Sequence, residues 1–398
     1  MNPDLSKLQP YPFEKLARLH AGVTPPADKP AINLSIGEPQ HSTPGFIAEE
    51  IMTHLHGLSQ YPKTKGITRL RETIAAWLRR RFRLPADSVD PETQIIPVNG
   101  TREALFSFAQ CVIDRHTNPV VILPNPFYQI YEGATLLAGA EPWFINTTAA
   151  TRWLPDFDSV PPAIWKRCQL LYLCSPGNPS GAVMDLESLK KLICLADRHD
   201  FIIAADECYS EIYLDETAPP PGLLEAASQM GNGDFRRCVV FHSLSKRSNV
   251  PGMRSGFVAG DAAIIGKFTL YRTYHGCTMP TYTQAASITA WQDEQHVLTN
   301  RELYRKKFSK VIDTLRPVMA IEAPAASFYL WPETPVADID FAKGLYARHN
   351  VTILPGTYLS REAHGCNPGQ NHVRIALVPE IDRCIEAAER IRDYIDSL

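Results

Sequence analysis

The sequence predicts an α/β protein: a large domain with a mostly parallel central sheet flanked by helices, joined to a smaller α+β domain. Three observations predict it. Between residues 94 and 260, short apolar runs alternate with amphipathic stretches, the pattern of crossover units on a sheet covered on both faces. After Trp291 the pattern changes to long helices flanking short strands. At 398 residues the chain is also too long for one simple core.

Taken in order, the segment up to about Pro44 is proline-rich and irregular apart from a helical stretch near Phe13–His20. The spacings Ile47, Ile51, Leu55 and Leu70, Ile74, Trp77, Leu78 predict helices broken at "SQYPKTKG". The expected strands are "QIIPV", "PVVILP", "CQLLYLC", "FIIAAD", "CVVFHS" and "SGFVAG", with helices at "TREALFSFAQCVI" and "DLESLKKLICLADRHD" between them. Helices over 302–316 and 381–398 flank the late strands "SFYLWP" and "HVRIAL". The expected division is residues 1–44 as an arm completing the small domain, 45–292 as the large domain, and 293–398 as the rest of the small one.

Composition narrows the function. A hydrophobic content of 44% with 21% charged residues is that of an ordinary soluble globular protein. A formal net charge of −3 gives no case for nucleic acid or an anionic membrane as partner. The N-terminus has no apolar leader and no stretch approaches a membrane span. Nine cysteines, with Cys174, Cys194, Cys208 and Cys238 in apolar segments, suit buried free thiols in a reducing cytoplasm. No C-x-x-C, H-E-x-x-H, GxxxxGK[ST] or GxGxxG motif is present, and no metal site is expected.

In an open α/β sheet, ligands collect beyond the carboxyl ends of the strands. Asn178 follows one such end in "LLYLCSPGNPSG"; Asp206 closes "FIIAAD", with Tyr209 three residues on. Ser243, Ser245 and Lys246 close a third, "CVVFHSLSK", and Arg254 lies eight residues after the lysine. Alone, each has an ordinary reading: a turn residue, a helix cap, a solvated charge. Their conjunction in this order does not.

The ordered set "SPGNPSG", "ADECY" and "SLSKRSNVPGMR" resembles the fold-type I, pyridoxal-phosphate-dependent aminotransferases of class I/II. The resemblance runs from "NLSIGEP" to "HVRIAL" and implies the PLP-transferase type I fold with pyridoxal 5′-phosphate as cofactor. An aldehyde cofactor needs an amine, so Lys246 is expected to form the Schiff base and to shuttle the proton. Asp206 is expected to keep the pyridine nitrogen protonated, with Tyr209 and Asn178 bonding the ring's phenolic oxygen. Ser243, Ser245 and Arg254 would hold the phosphate, helped by the Thr101 and Arg102 amides of "NGTREAL" at a helix N-terminus. Tyr128 would stack on the ring.

For the substrate side, the resemblance implies that Arg374 takes an α-carboxylate, near the Gly37 backbone and Asn178. Tyr61 would reach the phosphate of a neighbouring subunit, which implies a homodimer with shared sites. Small amino acids and 2-oxo acids are the expected partners. The wording "NPFYQIYEGA", "SPGNPSGAVM" and "LSKRSNVPGMRSGFVAGD" is most similar to the N-succinyldiaminopimelate aminotransferases of bacterial lysine synthesis. Met253 before the arginine and Arg247 after the lysine depart from the usual pattern. A general aspartate or aromatic aminotransferase and a lyase on the same fold share every cofactor residue and remain alternatives. A ligand-binding module without turnover is disfavoured by an intact Lys246, Asp206 and Arg254. Candidates for the far end of the substrate are Lys63, Lys65, Arg102, Arg247 and Arg272.

Overall fold

The computed structural model describes residues 1–276 and 278–398. Its strands, in chain order, are β1 (Ile32–Asn33), β2 (Ile95–Val98), β3 (Val120–Asn125), β4 (Glu141–Asn146), β5 (Cys168–Cys174) and β6 (Ile202–Asp206). They continue with β7 (Cys238–Ser243), β8 (Gly256–Gly260), β9 (Tyr329–Leu330), β10 (Val351–Thr352), β11 (Leu354–Pro355) and β12 (Val373–Ala376). Seven of them form the central sheet in the order β2-β8-β7-β6-β5-β3-β4. All its pairings are parallel except those of β8, which runs antiparallel to both β7 and β2.

The sheet is covered on both faces, and the strand sequences show why. Successive side chains of a strand point to opposite faces. Ile95, Ile122, Leu171, Ile203, Val240 and Phe257 fall in one core; their neighbours Ile96, Val121, Tyr172, Ala204, Val239 and Val258 fall in another. Hence the strands read as continuous apolar runs rather than alternating ones. The first core is closed by the helices Thr68–Arg81, Leu186–His199 and Thr281–Gln292, through residues such as Trp77, Leu192 and Trp291. The second is closed by Thr101–Val112, Ile130–Leu137 and Ala262–His275, through Phe108, Tyr131 and Phe268. Each fully buried Leu or Ile is worth about 1.5–3 kcal/mol. The two-sided packing therefore fixes where the strand ends lie far more firmly than loop contacts could.

The helices start where their caps dictate. The Asp185 carboxylate accepts from the Ser188 amide at 2.8 Å and opens Leu186–His199. Asp261 does the same for Ala262–His275 through the amides of Ala263 and Ile264.

A third core gathers Ile32 and Leu34 with Tyr304, Phe308, Phe328, Leu345, Ile375 and Ile391. β1 pairs in parallel with β10, so the N-terminal segment is stitched to the C-terminal part of the chain. β11, β12 and β9 make a small antiparallel sheet beside it.

Some expectations need correction. The helix expected over 302–316 spans Gln295–Leu315. β4 was not expected at all. Cys194 is exposed on its helix rather than buried, and Cys174 is only half-buried. All eight described cysteines are free. Among the described residues, no helix is long and apolar enough to cross a membrane, and no His/Cys/Asp/Glu group is placed to hold a metal.

Candidate active site

Five strands deliver side chains to one cavity at their carboxyl ends. It measures about 360 Å³, and Thr101 (after β2), Tyr128 (after β3), Asn178 (after β5), Asp206 (ending β6), Ser243 (ending β7), Ser245 and Lys246 all line it. Gly37, Arg102, Tyr209, Arg254 and Arg374 complete the set of residues picked from sequence. Tyr61 is 98% exposed and does not reach the cavity of its own chain. Of the five far-end candidates, only Arg102 lines the wall. Lys65 donates to the Glu92 carbonyl at 2.9 Å, Arg247 is buried against Glu294, and Arg272 is buried with Glu103 at 2.9 Å. Lys63 is exposed.

Lys246 sits in the short helix Leu244–Arg247, opened by the Ser243 hydroxyl accepting from the Ser245 amide at 3.1 Å. Its ammonium donates to the Gly37 carbonyl and lies 5.3 Å from the Phe328 ring centroid. Burial pulls its pKa down to about 8, with Arg374 and Arg254 acting in the same direction. The neutral amine therefore becomes the main form as pH rises through about 8, well below the 10.5 of a free lysine.

Asp206 lies opposite, 4% exposed. Burial raises its pKa, while the donors around it oppose the rise. One oxygen accepts from Tyr131 Oη at 2.6 Å and the other from the Cys208 amide at 3.2 Å. Neither donor is cationic, so a ligand N–H⁺ fits this carboxylate. Tyr131 is itself stacked on Tyr172, with ring centroids 4.8 Å apart.

Gly100 has φ +85°, in the left-handed region that favours glycine. A Cβ there would come within 2.3 Å of Arg254 Nη2. The missing side chain leaves a cradle in which the guanidinium, the Ser243 and Ser245 hydroxyls and the N-terminus of helix Thr101–Val112 face one space. An anion fits there. Arg254 donates to the Pro251 carbonyl at 2.9 Å.

At the other end, Arg374 donates to Asn178 Oδ1 at 3.0 Å and to the Ser35 carbonyl at 2.7 Å, and lies 4.5 Å from the Tyr329 ring centroid. Its Nε is buried and has no hydrogen-bond partner among the described residues. Tyr209 and Tyr329 hydroxyls meet at 3.0 Å, and burial raises both pKa values. A Cβ on Gly37 would strike Tyr329 Oη, so glycine lets the backbone approach here.

Tyr11, Phe13, Ile36, Gln129, Cys208 and Tyr329 also line the cavity and were missed from sequence. Arg102 donates to Tyr128 Oη at 2.9 Å and to Tyr11 Oη, so the N-terminal arm and Tyr128 meet at one guanidinium. The signal available was Tyr11 immediately before a helix opened by Pro12.

Comparison with known proteins agrees with this geometry. The aminotransferase class I and II family profile matches residues 29–391. An LL-diaminopimelate aminotransferase of Nitratidesulfovibrio vulgaris (Miyazaki F) is 31% identical over 394 residues, 97% of each chain. The crystal structure of an aminotransferase from Neisseria meningitidis superposes with a TM-score of 0.94 at 48% identity, covering 98% of this chain and 99% of that one. A probable N-succinyldiaminopimelate aminotransferase from Thermus thermophilus gives a TM-score of 0.83 at 25% identity, with 96% and 98% covered.

Proposed function

The chain belongs to the aminotransferase class I and II family, whose cofactor is pyridoxal 5′-phosphate; on that premise we propose that it exchanges an amino group between N-succinyl-LL-diaminopimelate and 2-oxoglutarate, a step of lysine biosynthesis. The observation that carries the reaction class is one cavity holding a lysine of depressed pKa, a buried carboxylate bonded to the neutral donors Tyr131 and the Cys208 amide, and two arginines at separate ends.

The bound cofactor supplies an aldehyde that takes and returns the amino group and a ring that withdraws electrons. The chain supplies the rest. Arg254, Ser243, Ser245 and the Thr101 amide would hold the phosphate at the Gly100 cradle. Asp206 would hold a proton at the ring nitrogen, and Tyr131 and the Cys208 amide hold Asp206 in place. Tyr128 would pack against the ring, and Tyr209 and Asn178 would bond its oxygen. Arg374 takes the substrate α-carboxylate and so places Cα near Lys246. Lys246 Nζ, neutral above a pH of about 8, would take the proton from the substrate Cα and deliver it to the cofactor's aldehyde carbon, on the other side of the transferred nitrogen.

Two features support the acylated substrate. Asp206 is the only carboxylate among the described residues lining the cavity, and Glu38, which acts on Lys246 from beside Gly37, is the one further counter-charge a second free ammonium would meet. Succinylation removes that ammonium and adds a carboxylate, for which Arg102 is the available cation. The name of the N. vulgaris relative favours free LL-diaminopimelate instead. Comparing kcat/KM for the two forms with 2-oxoglutarate as acceptor separates the readings, with aspartate, alanine and tyrosine as further donors. The succinylated form should lead by at least about tenfold, the scale of a buried polar group left unpaired. Preference for the free form replaces this substrate with that of the relative; preference for aspartate or tyrosine makes the protein a general aminotransferase.

A further inference from the structure

The three residues after Lys246 all turn away from the cavity and into protein. Arg247 is 1% exposed, with its guanidinium 5.7 Å from the Trp77 ring and 5.1 Å from the Trp291 ring. It donates to the Ala290 carbonyl at 2.5 Å, the Asp293 carbonyl at 3.1 Å and Glu294 Oε1 at 2.8 Å. Ser248 is fully buried; its hydroxyl lies 2.8 Å from His296 Nε2, and His296 Nδ1 lies 2.5 Å from Asp293 Oδ1. Asn249 donates to Asn300 Oδ1 at 3.0 Å, and its carbonyl accepts from Thr43 Oγ1 at 3.0 Å. Asn300 Oδ1 also lies 2.7 Å from His41 Nδ1.

These anchors share one partner segment. Residues 290–300, the junction where helix Thr281–Gln292 ends and helix Gln295–Leu315 begins, hold all three side chains. Ser248, His296 and Asp293 have the hydroxyl–imidazole–carboxylate order of a hydrolytic triad, but a fully buried hydroxyl cannot meet a substrate. Its geometry serves position. Asn249 has φ +52°, a left-handed conformation that a non-glycine residue keeps only when its surroundings impose it.

We propose that the 290–300 junction positions Lys246, with Arg247, Ser248 and Asn249 as positioning residues rather than substrate contacts. On the amino-terminal side, the Lys246 helix is held by the Ser243 cap and by the Leu244 amide donating to the Ser255 carbonyl at 3.1 Å. On the other side it runs into the turn at 247–249, whose anchors hold it. Three consecutive buried anchors stop that turn from rotating the lysine, and reacting groups lose rate steeply with small misplacements. The inference rests on the reading of Lys246 given above.

The test uses cofactor-loaded enzyme carrying Ser248→Ala or Arg247→Lys. Borohydride reduction and peptide mapping report whether Lys246 still bears the cofactor; kcat, KM and the pH midpoint of the cofactor absorbance report its placement. Label is expected to stay on Lys246, kcat to fall about tenfold, and the amino-donor KM to stay within about twofold. The pH midpoint should move by roughly half a unit or more. Label retained with wild-type kcat and midpoint overturns the positioning claim alone, as does a kcat loss that vanishes when divided by the labelled fraction. Should Arg247→Lys fail to fold, Ser248→Ala decides on the same readings. No label on Lys246 in the wild type overturns the proposed function, and this inference with it.

Discussion

Burial holds the Lys246 amine at a pKa of about 8, below the 10.5 of a free lysine, with Arg374 and Arg254 reinforcing the shift. The sign of the consequences follows. Below about 8 the native amine is protonated and unreactive; between about 8 and 10.5 the unfolded chain binds more protons than the native one, so this group's contribution to stability rises with pH. Covalent uptake of pyridoxal phosphate by the cofactor-free protein should therefore quicken as pH climbs through about 8 and then level. An uptake rate flat across that value contradicts the shift. Removing a cationic neighbour with Arg374→Met should move the midpoint upward. Asp206→Ala is expected to lower kcat by roughly 10–150-fold, the worth of a charge-assisted bond of about 1.5–3 kcal/mol, while phosphate contacts keep the cofactor bound. A loss under tenfold means Asp206 does not serve the ring nitrogen. At this scale Lys246 and Asp206 were legible in the sequence because they end or follow apolar strands, and Arg254 because it lies eight residues after that lysine in the family-like order of motifs. Tyr131, Tyr329 and Tyr11 were not, since their value lies in contacts such as Tyr131 with Asp206, 75 residues apart.

The strands and their following turns place the site. β2, β3, β5, β6 and β7 are mutually parallel, so their carboxyl ends converge at one edge of the sheet. Their continuous apolar runs made them readable. β4 escaped because "EPWFIN" is mostly half-exposed at the sheet edge and carries a proline, a weak strand signal. The reversed direction of β8 was equally invisible, because pairing direction is decided by partners, not by the strand's own residues. The early start of helix Gln295–Leu315 hid behind polar residues in its first turns. The turn between β2 and helix Thr101–Val112 gives a prediction at this scale. Gly100→Ala combines a strained φ of +85° with a Cβ 2.3 Å from Arg254 Nη2. It should push the arginine out of the cradle and weaken pyridoxal phosphate binding by about tenfold or more, the scale of a lost charge-assisted contact. Unchanged affinity, measured by titration of the cofactor-free variant, argues against an anion at that cradle.

As a whole, the molecule leaves apolar side chains on its surface that no part of the chain covers: Leu58 is 70% exposed, Tyr274 is 88% exposed, and Met52 and Leu55 lie near Tyr61 in sequence. Gathered into one patch, such residues would form a surface for a partner. We propose a homodimer in which Tyr61 reaches the phosphate of the other subunit. Mixing impaired Tyr61→Phe with Lys246→Ala should restore part of the activity through hybrid dimers; no recovery after verified subunit exchange counts against shared sites. Nothing in the composition revealed this surface, because an exposed Leu or Tyr looks the same in sequence as a buried one. The alternation of strands and helices, by contrast, made the sheet covered by helices on both faces plain from the start. The account turns on Lys246, and Lys246→Ala tests it most directly. The variant should keep pyridoxal phosphate non-covalently through the phosphate cradle, lose the borohydride-trapped label, and show no measurable transamination; transamination at the wild-type rate would contradict the assignment outright.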